Sequence, residues 1–289
     1  MEPGIDAEPS TGRLDGSVSL FREAGVQAVV PAGFTAHNVR LDDGVETFPQ
    51  AGATIDQMGD FLCVRNMLKL LYPEGAAGKS IVDLGCLEGG FTTEFARLGL
   101  DAVGIEVRDS NLRNARFIQE RLKLPNLRFH QDDAWNVGKY GPFDLVFCVG
   151  LYYHVADARR FLGVLSDACR KAIFIDTHFA PEADDHPAVA LHSLSPMTEH
   201  EGMRGRWFFE HDLDASREPE SLEQLKWASW ENNRSFWPTK GALVDAMHNA
   251  GFGIVVEDFD GMAGMTDWHM SNQGWGHRNN RWMLVGIKP

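Results

Sequence analysis

Three acidic side chains, Asp83, Glu106 and Asp133, stand at the ends of three successive short apolar runs. The first belongs to SIVDLGCLEGGFTTEF, residues 80–95, where an apolar run breaks into glycines and then into helical spacing. A strand, a glycine turn and a helix in that order make a nucleotide loop. A dinucleotide fingerprint, however, needs glycine at its second position so that backbone can approach a pyrophosphate. Leu87 occupies that position here, with Glu88 beside it. A carboxylate and a branched side chain oppose a phosphate, so the loop predicts a cationic ligand without phosphates. Gly85 and Gly89 would permit close backbone approach, and Asp83 and Glu88 would supply negative charge. Glu106 ends the next apolar run at roughly the 20-residue spacing at which an acid meets ribose hydroxyls.

A second group of reactive side chains follows the run Phe143–Val149, which opens into Gly150-Leu-Tyr-Tyr-His154. His154 is the candidate general base, because imidazole titrates near neutrality and accepts a hydroxyl or ammonium proton. Its competing role is structural, fixing the turn. Tyr152 and Tyr153 are candidates to line a pocket or donate a hydrogen bond. His178, closing the run Ala172–Asp176 with Thr177, is a second candidate base or substrate contact. Asp176, His178, Asp184, Asp185 and His186 could be read as metal ligands, but Val149-Gly150 leaves the oxygen-rich set for Mg²⁺ incomplete, and no metal is expected.

The stretch VDLGCLEGG resembles the first motif of class I S-adenosylmethionine-dependent methyltransferases. The resemblance implies S-adenosylmethionine as cofactor, with Asp83, Gly85, Leu87, Gly89, Glu106, Asp133, Ala134 and Val149 around it. It also implies that Asp133 accepts from the adenine amino group, that the Ala134 backbone reads a ring nitrogen, and that the end of the fourth strand lies beside the sulfonium. Such a reaction is an in-line displacement, in which alignment alone supplies roughly 7–11 kcal/mol in favourable cases. A more distant resemblance joins HNVRLDDGVET (37–47), DLGCLEGG, GLYYHV and SFWPTKGALVDAMHNAGF (235–252). These are similar to the branch containing the tRNA wobble-uridine carboxymethyltransferase, which uses carboxy-S-adenosylmethionine.

The elements that must position these groups alternate. Strands are expected at 81–84, 102–107, 127–131, 143–149, 172–176, 252–257 and 281–287, with helices at 55–71, after Phe91, after Ser110 as cap, at 157–168, and after Thr239 as cap. Asp43-Gly44 centres a hairpin signal over 37–48, and a short helix is possible at 17–24. The pattern predicts an α/β, Rossmann-like, doubly wound, seven-stranded and mostly parallel sheet, with ligands beyond the carboxyl ends of its strands. Residues 1–72 read as an N-terminal extension on the substrate side, and 73–289 as the methyltransferase domain. Residues 179–237 show no clear period and read as an aromatic-rich insertion after the fifth strand, a lid or substrate-binding loop. Trp207, Glu210, Trp230, Asn233 and Trp237 within it are the candidate substrate contacts, beside His211, Asn232 and Arg234.

The chain has 289 residues, 44% hydrophobic and 24% charged, enough to bury a sizeable core. Its formal net charge of −14 argues against nucleic acid, whose binding draws on lysine and arginine. Cys63, Cys86, Cys148 and Cys169 form no CxxC pair and read as core residues of a reducing compartment. No secretory signal or membrane span is visible, so a soluble, cytoplasmic protein is expected. The expectation is methyl transfer to oxygen or nitrogen of a small metabolite, plausible for a natural product. The alternatives are the RNA carboxymethyl transfer above and a cofactor-binding protein without catalysis. A dehydrogenase is disfavoured by Leu87 and Glu88, and oligomeric state is not legible.

Overall fold

A computed structural model describes residues 30, 33–211, 219–258 and 279–289. The strands β1 (Ser80–Leu84), β2 (Asp101–Glu106), β3 (Leu127–Gln131), β4 (Phe143–Val149) and β5 (Cys169–His178) run parallel. Two later strands, β9 (Ile254–Asp258) and β10 (Arg281–Ile287), complete a seven-stranded sheet in the order β3-β2-β1-β4-β5-β10-β9, with β10 antiparallel to both neighbours. The order reverses between β1 and β4, which opens a crevice at the carboxyl edge of the sheet. Ile81, Val82, Leu145, Val146, Ile173 and Phe174 are fully buried or nearly so, as expected of central strands covered on both faces.

Helices α2 (Gly90–Arg97), α3 (Asp109–Leu122), α4 (Ala158–Ala168) and α7 (Lys240–Asn249) flank this sheet. Thr239 caps α7 as its sequence predicts, its side chain accepting from Ala242 N. Ser110 does not cap α3. It lies inside the helix, and its hydroxyl donates at 2.6 Å to Glu223, which reaches in from the insertion. The helix expected over 55–71 is broken: Ile55–Gln57 forms a 3₁₀ turn, Met58 is extended, and α1 runs Gly59–Leu71. The hairpin over 37–48 reduces to a turn with a single bridge, Arg40 to Glu46. The short helix considered at 17–24 lies outside the described residues.

The insertion is not aperiodic throughout. Its strands β6 (Thr198–His200), β7 (Met203–Phe209) and β8 (Arg234–Pro238) form an antiparallel sheet. Two short helices, α5 (Pro187–Leu191) and α6 (Pro219–Gln224), flank it in sequence. Arg206 disguises β7, because a charged residue sits at a core position. Its guanidinium is buried and satisfied by Pro181 O, Ser195 O and Asp184. All four cysteines are buried. Among the described residues, no helix is long and apolar enough to cross a membrane.

Candidate active site

The turn after β1 departs from the expectation that its acids face a ligand. Asp83 does line the cavity, while Glu88 turns away and is buried. The Glu88 carboxylate accepts from Thr35 N at 2.6 Å, Thr35 Oγ1 at 2.9 Å, Ala36 N at 3.1 Å and His37 N at 2.9 Å. Its charge is spent on an incoming segment, not on a cofactor. The loop amides are likewise committed inside the protein. Gly85 N and Cys86 N donate to Ile105 O, Leu87 N to Glu106 Oε2, Gly89 N to Cys86 O and Gly90 N to His37 Nδ1. A pyrophosphate cradle needs those donors pointing outward, so the loop is unsuited to one for a reason beyond charge.

Gly89 does not line the cavity. It adopts φ +76°, and a Cβ there would come within 2.5 Å of the Phe129 ring. The glycine is needed for close packing of loop on β3 rather than for contact with a ligand. Gly85, at φ +66°, and Leu87, at φ +47°, do line the cavity. Leu87 holds a backbone conformation that glycine adopts more easily.

The cavity has a volume of about 430 Å³ and runs along the carboxyl edge of the sheet. At one end, Glu106 Oε1 accepts from Arg108 N at 2.8 Å and Oε2 from Leu87 N at 2.9 Å. Two backbone donors thus fix the carboxylate while leaving lone pairs for two further bonds. Asp133 uses Oδ1 to accept from Trp135 N at 2.8 Å and, with Ala134, forms the next stretch of wall. Asp83 accepts from Thr92 Oγ1 at 2.6 Å, and burial pushes its carboxyl up to about 7.

The other end is bounded by Val149, Tyr153, His154, Asp60 and Arg281. His154 Nδ1 lies 2.9 and 3.0 Å from the two oxygens of Glu210, whose side chain is 1% exposed. Glu210 also accepts from Ser229 N at 3.1 Å and Ser235 Oγ at 2.5 Å. An Nδ1–H donated to that carboxylate leaves the Nε2 lone pair as the basic site. Arg281 donates from Nε to Asp176 at 2.5 Å and from Nη1 to the Tyr153 hydroxyl at 3.3 Å, and its guanidinium lies 4.9 Å from the Tyr153 ring centre. Asp60, in the first turn of α1, is pushed up to about 7 by burial and by Asp176, with Arg281 opposing.

Other candidates fall elsewhere. Tyr152 is fully buried and its hydroxyl donates to Ala158 O at 2.7 Å, so it packs the core. His178 stands behind Tyr153, stacked on Trp237 at 4.5 Å, and donates Nδ1–H to Asn279 O. Burial and Arg281 push it down to about 3, so it stays neutral. Trp237 is buried and its indole donates to Tyr153 O. Trp207 packs on Phe236 under Arg234. Asn233 is exposed, and its carbonyl accepts from Glu210 N. Of the insertion candidates, Trp230 and Asn232 reach the cavity, and Glu210 reaches it only through His154.

The acids considered for a metal disperse: Asp176 pairs with Arg281, Asp184 with Arg206, and His186 caps α5. Asp157, His200 and Glu201 do converge, but Glu201 accepts from the Arg159 and Arg160 amides at the start of α4. Sequence reasoning missed His37, Met58, Asp60, Arg108 and Arg281 as cavity residues. For Asp60, the signal was its place in the first turn of a helix just upstream of the glycine loop. For Arg281, it was the start of a terminal strand antiparallel to β5.

Asp83, Glu106 and Asp133 thus line one cavity at the carboxyl edge of the sheet, beside a loop whose amides are closed to a pyrophosphate. A methyltransferase-domain family model matches residues 57–257, and the chain belongs to that family. Curated relatives include the ubiquinone biosynthesis O-methyltransferase of Acinetobacter baylyi, 32% identical over 29% of this chain and 36% of that protein. The enzyme of the same name from Psychrobacter cryohalolentis is 32% identical over 34% of this chain and 38% of its own length. The chain thus spans little more than a third of the length of these relatives. Among solved structures, the N-terminal domain of EvdMO1 with SAH bound has a TM-score of 0.60 at 20% identity, covering 88% of this chain and 92% of that one. The same domain with SAH and D-fucose gives 0.59 at 21% identity, covering 88% and 91%. These two likenesses define the fold.

Proposed function

We propose that this enzyme methylates a hydroxyl of a small molecule, with His154 as general base. The observation that carries the reading is the pair of contacts from His154 Nδ1 to both oxygens of buried Glu210, at 2.9 and 3.0 Å. S-adenosylmethionine supplies an activated methyl on a sulfonium. Glu106 accepts from the ribose hydroxyls, Asp133 and the Ala134 backbone read the adenine, and Asp83, Gly85 and Leu87 border the methionine portion. Val149 and Gly150 shape the wall at the transfer point. As the acceptor oxygen bonds to the methyl carbon and the carbon–sulfur bond breaks to leave the neutral thioether SAH, His154 Nε2 would take the acceptor's proton, and Glu210 would stabilise the resulting imidazolium. Tyr153 and Arg281 orient the acceptor, and residues 226–232 cover the site. The name O-methyltransferase carried by the curated relatives supports oxygen as the atom modified.

The test is turnover with labelled S-adenosylmethionine against a panel of phenols, catechols and sugar hydroxyls. His154→Ala is expected to lower turnover by about 10²–10⁴-fold while SAH affinity holds within about twofold. Full turnover in that variant removes the base. A parallel thermal-shift titration with carboxy-S-adenosylmethionine addresses the carboxymethyl alternative, since a ligand bound only by the folded state raises apparent stability. Stronger stabilisation by that donor than by S-adenosylmethionine would replace the methyl reading.

A further inference from the structure

One residue stands between the two ends of the cavity. The backbone N–H of Arg108 donates to Glu106 Oε1 at 2.8 Å, at the ribose end. The side chain of the same residue reaches the opposite way, into the insertion. Its Nη2 donates to Leu225 O and Ala228 O, each at 2.8 Å, and its Nε to Leu222 O at 3.4 Å. The guanidinium also lies 5.2 Å from the Trp230 ring centre. Glu223, between those carbonyls, caps α3 by accepting from Asp109 N at 2.9 Å and from Ser110 N and Oγ. Segment 222–228 is therefore clamped at the end of β2 by one cation and one helix start.

The next residue along is Ser229, which is buried and whose N–H donates to Glu210 Oε2 at 3.1 Å. Glu210 in turn meets His154 Nδ1. The chain of contacts runs from Glu106 through Arg108 and segment 222–229 to Glu210 and His154 without a gap. The hydrogen bonds donated by Nε and Nη2 of Arg108 all fall on main-chain carbonyls, and among the described residues its guanidinium makes no carboxylate ion pair. What it holds is a backbone path.

We infer that Arg108 is a positioning residue: by clamping segment 222–228 it sets the Ser229 N–H that holds Glu210 against His154, and so ties the ribose end of the cavity to the base. Ordering of Glu106 by a bound ribose steadies Arg108, and the steadied segment fixes the imidazole in its Nδ1–H tautomer. By linkage, the same coupling tightens cofactor binding. The relay rests on the reading of His154 as base only for its catalytic consequence, and its test does not depend on an acceptor.

The probe is SAH, added to the full chain and followed by ¹⁵N NMR of the histidine rings at alkaline pH and by amide exchange. In the wild type, SAH is expected to slow exchange over 222–229 by about tenfold or more and to leave His154 mainly in the Nδ1–H tautomer. Arg108→Lys keeps the charge but loses the three-carbonyl fork. It is expected to abolish the slowing, mix the two tautomers and weaken SAH about tenfold. Glu223→Gln, which lies outside the cavity, loosens the same segment from α3 and is expected to move both readouts the same way by less. It decides the matter if Arg108→Lys fails to fold. Unchanged tautomer and exchange in Arg108→Lys, or in Glu223→Gln where only that variant folds, overturn the relay. Full turnover of His154→Ala would instead overturn the base while leaving these readouts in place.

Discussion

The two ends of the cavity are built by different means. The end around Glu106 and Asp133 is made of strand termini and a turn whose amides are satisfied inside the protein. The end around His154 depends on Glu210, 56 positions away in sequence, and on a segment laid over the mouth from the insertion. In the proposed reading, the sheet edge holds the donor and the insertion supplies the partner of the base. A binding site can therefore be inherited with the fold while the chemistry is supplied by a separate layer.

Three perturbations would break or sharpen that contrast. The largest is Trp237→Ala, which removes the buried indole stacked on His178 and bonded to Tyr153 O. It is expected to cost about 3–5 kcal/mol of folding stability, measured by denaturant titration, with SAH affinity of the folded fraction preserved. Loss of SAH binding without loss of stability would mean the insertion also builds the donor end. Next, Glu106→Ala is expected to weaken SAH roughly 100-fold by calorimetry, since it removes two hydrogen bonds to a charged acceptor. An effect under about threefold would separate this carboxylate from the ribose.

The smallest effect is one of pH. Burial pushes Asp83 up to about 7, and the hydrogen bond from Thr92 opposes. A folded-state value above the ordinary carboxylate value of 3.8 means that the fold prefers the proton. That contribution to stability is fully present below the ordinary value and is lost as pH rises through about 7. A bound cation favours the ionised form, so S-adenosylmethionine affinity should rise about tenfold between about pH 6 and pH 8. Asp83→Asn should flatten this rise. Asp60→Asn, at the acceptor end, should leave it in place, and the reverse result would exchange the roles of the two acids.

The donor end was legible in the sequence because sheet chemistry is local. Strand β4 and the boundaries of β3 and β10 follow from apolar runs, Glu106 follows from its spacing after Asp83, and the role expected of Asp133 came from the family resemblance. Glu88 was not legible, since nothing local distinguishes an acid facing a ligand from one facing Thr35. The acceptor end was partly hidden for a different reason. The GLYYH turn marked His154, but Glu210 looked like one polar residue among several until β7 and β8 placed it behind the ring. Strand β7 itself was masked by Arg206, a cation at a core position whose partners are Pro181 and Asp184 in one segment and Ser195 in another. Aromatic residues were equally ambiguous: Trp230 reached the cavity, and Trp207 and Trp237 became packing.

The four hydrogen bonds gathered by Glu88 bear on where this chain can be cut. A shortened version beginning at residue 73, where strand alternation starts, would remove these donors together with the buried Ile55, Phe61, Val64 and Leu68, and so uncover the apolar surface they pack against. Loss of that many buried apolar side chains is strongly destabilising. The smallest autonomous piece must therefore begin before Thr35, and trimming from the amino terminus should show an abrupt loss of soluble product once that tripeptide goes.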